Sequence, residues 1–222
     1  MDWQAARVSL WLALLTASLL LPVGIALARW LALTAWPGKP AIEALLMLPL
    51  LLPPTVIGFY FLVALGQGSS VGLWLANHFE LRLVFTFQGL LVASLLINLP
   101  FMVQPIQRAF AAIPNSMREA AWVSGLGGWT TFLKIELPLA WPGLVGGVAL
   151  TAAHTLGEFG VVLMVGGSIP GVTRTLSISI YDRVQAFDLA AAHVMALVLV
   201  AFSLVSVALV FAADRRRPLQ ER

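Results

Sequence analysis

Few residues in this chain have side chains suited to bond-making chemistry, and they are scattered. There are 222 residues, with 13 Lys and Arg, 10 Asp and Glu, three His and no Cys. Without cysteine there is no disulfide framework, thiolate metal site or cysteine nucleophile. The two lysines are Lys39, between Gly38 and Pro40, and Lys134, between Leu133 and Ile135. Neither stands in a G-x-x-x-x-G-K-[ST] loop, so the chain has no such device for cradling ATP phosphates. His154 precedes Glu158 by one helical turn, which puts both on one helix face. A plain polar pair explains that spacing at least as well as a proton site, and a solitary histidine makes no metal centre. No pair of catalytic groups emerges, so the chain reads as a non-enzyme with no cofactor of its own.

The elements that hold these residues are set by composition. Hydrophobic residues make up 60% of the chain and charged ones 10%, against roughly 25% charged in a soluble domain. So little charge cannot cover a soluble particle without leaving large apolar patches. The solvent is lipid, which excludes a secreted enzyme, a soluble binding module and a nucleic-acid reader. Uncharged runs mark spans at Val8–Ala28, Ile42–Leu65, Leu83–Gln107, Trp141–Val162 and Leu189–Ala213. Each can cross a hydrocarbon core as a helix, and none alternates like a barrel strand. The expectation is an all-α polytopic membrane protein of five or six transmembrane helices. It forms a single domain, 1–222, with a core at about 40–213. Val8–Ala28 is read as a retained helix, being longer than a signal-peptide core.

Arg and Lys orient the chain. Five spans put Arg29, Lys39, Arg108, Arg118, Lys134, Arg215, Arg216, Arg217 and Arg222 on one side and Arg7, Arg82, Arg174 and Arg183 on the other. Nine against four places the loop at about 105–138 and the C-terminus in the cytoplasm; a sixth crossing would reverse the N-terminus. Within that loop, Ser116-Met117-Arg118-Glu119 has the form of a capping box, which predicts a short helix over 116–124 ended by Gly125, Gly127 and Gly128.

The loop also carries Glu119-Ala120-Ala121, three residues, Gly125, nine residues, Ile135, one residue, Leu137-Pro138. This E-A-A-x3-G-x9-I-x-L-P pattern resembles the signature loop of importer-type ABC transporter permeases. The resemblance implies a type I importer permease fold and a cytoplasmic coupling helix that docks on a separate ATP-binding subunit. Glu119, Ala120, Ala121, Gly125, Ile135, Leu137 and Pro138 are then the coupling residues. Further along, His154 to Gly160, Ser168-Ile169-Pro170-Gly171, Thr173 to Leu176 and Ile180-Tyr181-Asp182 are similar to the molybdate, sulfate and tungstate group of these permeases. Leu52 to Gly58 is similar too, and the short chain favours the molybdate branch.

What this implies is an ATP-driven importer in the bacterial inner membrane. The partners implied are a second copy of the chain, two ABC ATPase subunits that bind ATP and Mg, a periplasmic oxyanion-binding protein and the bilayer. Sulfate, thiosulfate or tungstate is the alternative cargo, and a gradient-driven secondary transporter is the alternative of another class. Candidate pore or gate groups are the neutral Thr55, Asn98, Thr151 and Thr155, with His154 and Glu158. A carboxylate repels an oxyanion, so Glu158 reads better as a gate-shaping group than as a substrate contact. It would bond backbone at a glycine-flanked break or pair with Arg174. Pro49, Pro53, Pro54 and Pro100 are expected to break or kink their spans.

Overall fold

The computed structural model describes residues 1–214, and among these every regular element is helical. The arginines of the C-terminal tail, Arg215 to Arg217 and Arg222, lie outside the described residues.

Three helices are long and apolar enough to cross a membrane: α1 (Trp3–Leu33), α5 (Phe87–Ala111) and the stretch Leu189–Ala212 of α12 (Leu189–Asp214). Two bent pairs bring the number of spans to five when each pair counts once. The first pair is α2 (Lys39–Leu51) with α3 (Pro54–Leu65), which meet at 106°. The expected continuous span Ile42–Leu65 is therefore two helices. Pro53 and Pro54 have no amide hydrogen to give, and a residue before proline is driven out of the helical region. Leu52 and Pro53 accordingly sit at ψ 142° and 134°.

The second pair is α9 (Trp141–Gly157) with the limb Gly128–Leu139, bent away by 66°. That limb consists of α7 (Gly128–Thr131), a π-helical turn (Phe132–Glu136) and α8 (Leu137–Leu139). The expected span Trp141–Val162 also ends early. Glu158 is extended, at ψ 130°, and a new helix, α10 (Gly160–Gly166), starts beyond it. The span expected from Leu83 begins at Phe87, because Thr86 caps it by accepting from Gly89 N at 3.2 Å. The remaining helices are α4 (Ser70–Phe79), α6 (Asn115–Val123) and α11 (Leu176–Gln185).

The core forms where α1, α5 and α9 pack together. Leu20, Ala28, Leu31, Met102, Ile106, Phe110 and Leu144 are buried in one cluster. Gly143 and Gly147 make this crossing possible. A Cβ at Gly143 would stand 2.4 Å from Ala109 Cβ, and one at Gly147 would stand 2.9 Å from Met102 O. Small residues four apart let two membrane helices approach backbone to backbone. A second cluster joins α3, α5 and α10 through Phe61, Ala93, Ile97, Val161 and Val165. In contrast, most of the apolar stretch of α12 is not buried by its own chain, and Leu197, Val200, Leu204 and Phe211 are exposed.

Candidate functional site

The segment after α5 builds the first site. Pro114, extended at ψ 140°, precedes α6, which starts at Asn115. This corrects the capping-box expectation: Ser116 lies inside the first turn, and neither it nor Glu119 caps the helix. The reason is Pro114, which takes the flanking position and moves the start one residue upstream. The helix ends as the sequence predicts. Gly125 takes φ +80°, with its amide bonded to Trp122 O and that of Leu126 to Ala121 O, both at 3.0 Å. These two bonds make a Schellman end, which favours glycine because a side chain opposes the left-handed conformation.

Exposure divides α6 into two faces. Arg118 and Ala121 are buried against the chain, whereas Glu119, Ala120 and Val123 are exposed, Val123 at 90%. Ala121 therefore spaces α6 against its own chain and does not lie on the outward face. Leu137 packs on the main core, Ile135 is half-buried and Pro138 is exposed.

Inward, Arg118 reaches a carboxylate that the sequence reading passed over. Glu136 is 1% exposed, and its two oxygens are taken by different arginines. Arg118 Nε donates to Oε1 at 2.8 Å and Arg29 Nε, from α1, donates to Oε2 at 2.5 Å. Arg118 also donates to Phe110 O and Ile113 O, each at 2.9 Å, which satisfies the C-terminal end of α5. Burial raises the pKa of Glu136, but hydrogen bonds and charge from Arg29 and Arg118 outweigh it and hold the carboxyl below the ordinary range. The π turn positions this group. Pro138 cannot donate to Lys134 O, and the preceding turn widens so that Leu137 N bonds Phe132 O, five residues back. Glu136 fills the one free place in I-x-L-P; its charge, in a chain with so few, was the available signal.

The second site lies where two helix breaks meet. A Cβ at Gly160, just past the α9 break, would be 2.7 Å from Pro54 Cβ and 3.6 Å from Thr55 N, just past the α2 break. Exposed Thr55 thus stands beside the residues that follow Glu158. Glu158 Oε1 accepts from Val161 N at 2.9 Å and so caps α10. Arg174 is engaged elsewhere, donating to Ser168 Oγ at 2.9 Å and lying 3.5 Å from Asp182, so the alternative Glu158–Arg174 pair does not form.

His154 Nε2 lies 3.8 Å from Glu158 Oε2, while its Nδ1 is 3.1 Å from Asn98 Oδ1. Phe101 stacks on the imidazole with ring centres 4.0 Å apart. Asn98 continues inward, donating to Ser94 O at 2.8 Å, and Thr16 donates to Ser94 Oγ at 2.9 Å. This polar chain links α1, α5 and α9; Thr16 and Ser94 were not foreseen, although hydroxyls within apolar spans were the clue. Thr151 and Thr155 are buried on α9. Thr155 donates to Thr151 O at 2.8 Å, and Thr151 Oγ1 has no partner. Among the described residues no group of three or more His, Asp or Glu could hold a metal ion.

Comparison with known proteins places the chain in a family. The molybdenum transport system permease protein ModB of Azotobacter vinelandii is 49% identical over 203 residues, covering 91% of this chain and 89% of that one. The sulfate transport system permease protein CysT of Escherichia coli K12 is 35% identical over 181 residues, covering 82% of this chain but 65% of that one. A bacterial ABC transporter that imports the acidic polysaccharide alginate shares the fold, with a TM-score of 0.71 at 17% identity over 96% of this chain and 77% of that one. The family described as binding-protein-dependent transport system inner membrane component matches residues 20–217, and the chain belongs to it.

Proposed function

We propose that this chain is the membrane-spanning subunit of an ATP-driven importer of molybdate, and that it takes no catalytic part itself. The observation that carries the reading is the loop helix α6, with Glu119, Ala120 and Val123 turned outward and a Schellman turn at Gly125 behind it. A short rigid helix with one free face is suited to seat in a groove on a separate ATPase. The covalent continuity of the loop with α5 and α9 would carry the movement into the two spans that contribute Ser94, Asn98 and His154 to the polar chain.

Half a pathway is present, so the working unit would be a homodimer with two ATPase subunits, which bind ATP and Mg, and a periplasmic binding protein that delivers the oxyanion. The loop and C-terminus would face the cytoplasm of a bacterium. Alternating access would follow: ATP closes the ATPases, the two loop helices approach, the cavity opens outward, and hydrolysis resets it. The paired breaks at Pro53 and Glu158 would line the path, since discontinuous helices near the bilayer centre are where transporters place their sites. An exposed hydroxyl such as that of Thr55, with half-buried His154 nearby, suits a dianion, while a fixed arginine would hold it too firmly to let it leave. Asn98 is buried with its amide given to Ser94 and would act behind them. Glu158 is already spent on capping α10, which favours a gate-shaping role. Molybdate is favoured over sulfate by the higher identity and the nearly full length of the molybdenum relative that is covered.

Three measurements test the reading. A Glu119→Cys label should react only from the inner side of sealed vesicles, and the purified protein should carry an ATPase with it. Replacing Glu119 and Gly125 together should abolish uptake while the protein stays in the membrane. Labelling from outside, or undiminished uptake, would refute the coupling role.

A further inference from the structure

The loop is covalently joined to α5 and α9, but Glu136 ties it to a third helix. One oxygen of Glu136 is held by Arg118 on α6 and the other by Arg29 near the inner end of α1. The Arg29 guanidinium also lies 5.2 Å over the Phe132 ring of the π turn. Beside this link Phe132 and Leu137 pack on the cluster that holds Ala28 and Leu31, but the packing is incomplete. A crevice of about 840 Å³ opens between the two elements, lined by Pro22, Ile25, Trp30, Trp129 and Leu137 among others. The Arg29 side chain is therefore the polar tie between the inner end of α1 and the limb 128–139. Seven residues before Arg29, Pro22 sits inside α1 without an amide hydrogen to give to the preceding turn. Helices bend most readily at such a residue.

We infer that Glu136 is a pin through which the loop drives the inner segment of α1, residues 23–33, about Pro22, so that three spans answer to the ATPase and not two. This rests on the coupling role proposed above and adds to it a positioning residue that touches neither nucleotide nor oxyanion. Arg29 is the side of the pin to remove. Its loss leaves Glu136 paired with Arg118, whereas loss of Glu136 strands two arginines, one of them buried.

The test uses the chain reconstituted in liposomes with its ATPase and binding protein. Arg29→Gln should keep binding-protein-stimulated ATP hydrolysis while ATP spent per molybdate taken up rises about tenfold, a change within the usual range of coupling between sites. Arg29→Lys, which restores the charge, should return most of the efficiency. A wild-type ratio in Arg29→Gln would overturn the inference.

A second readout does not depend on how well that variant assembles. The chain has no cysteine, so spin labels can be placed at Leu33 and Met117 alone, with one labelled copy per complex. Their separation should stay narrow and unchanged between nucleotide-free and ATP-bound complexes, and should broaden in Arg29→Gln. A separation that shifts with nucleotide in complexes that keep Arg29 would overturn the inference. Wild-type complexes that take up no molybdate with ATP would instead overturn the coupling role itself, whatever the labels report.

Discussion

Glu136 and Gly125 show how single residues make the loop a rigid piece. Burying a carboxylate is costly unless its oxygens are satisfied, and here two arginines do so from opposite sides. Because its folded pKa is depressed, Glu136 stabilises the loop fully above the ordinary carboxylate pKa, and that contribution is lost as pH falls through the lower, folded value. Glu136→Gln should therefore lower the melting temperature of the detergent-solubilised protein at neutral pH and flatten its decline on acidification. Asp2 also has a lowered pKa, since burial raises it less than the Ala5 amide, Ser179 and Arg174 lower it, so the comparison between the two proteins isolates Glu136. At Gly125 the cost of substitution is conformational, as a Cβ there would meet nothing within 4 Å. Gly125→Val should destabilise the loop by about 1–2 kcal/mol and weaken ATPase binding, while Gly125→Asn, which tolerates the left-handed region, should retain most of it. Pull-down of the ATPase by the two variants measures the difference.

At the scale of elements, the crossing of α5 and α9 and the π turn decide where the sites stand. Gly147 has no room for a side chain against Met102 O, whereas a Cβ at Gly146 would make an ordinary contact 3.6 Å from Pro105 Cβ. Gly147→Val should cost about 1–3 kcal/mol by overpacking, and Gly146→Ala close to nothing, measured as thermal stability in detergent. Such features were only partly legible beforehand. The uncharged runs located five apolar segments, because charges are expelled from lipid whatever the packing. Pro53 and Pro54 marked a break, whereas Pro49 and Pro100 lie inside continuous helices, and the 106° turn at Pro53 needs neighbours to define its direction. The start of α6 was misplaced by one residue because Pro114 outweighed the S-x-x-E pattern. The π turn and the Glu136 pairs were not legible, since they link residues 18 and 107 positions apart and depend on packing that spacing does not encode.

At the scale of the whole molecule, the family assignment and the site geometry meet in one picture. A thin set of membrane helices encloses a polar chain from Thr16 through Ser94 and Asn98 to His154, and the loop outside it presents one free helical face. In the proposed cycle the driving ATP is bound by another subunit, and the free face of α6 is where that subunit would seat. The most direct test of that central claim is ATP hydrolysis by the reconstituted complex, recorded together with uptake. It would be run with the binding protein empty, loaded with molybdate or loaded with sulfate. The account predicts that molybdate-loaded protein stimulates hydrolysis and that uptake stops when ATP is withdrawn. Uptake that persists on an ion gradient without ATP, or hydrolysis that responds to sulfate and ignores molybdate, would contradict it.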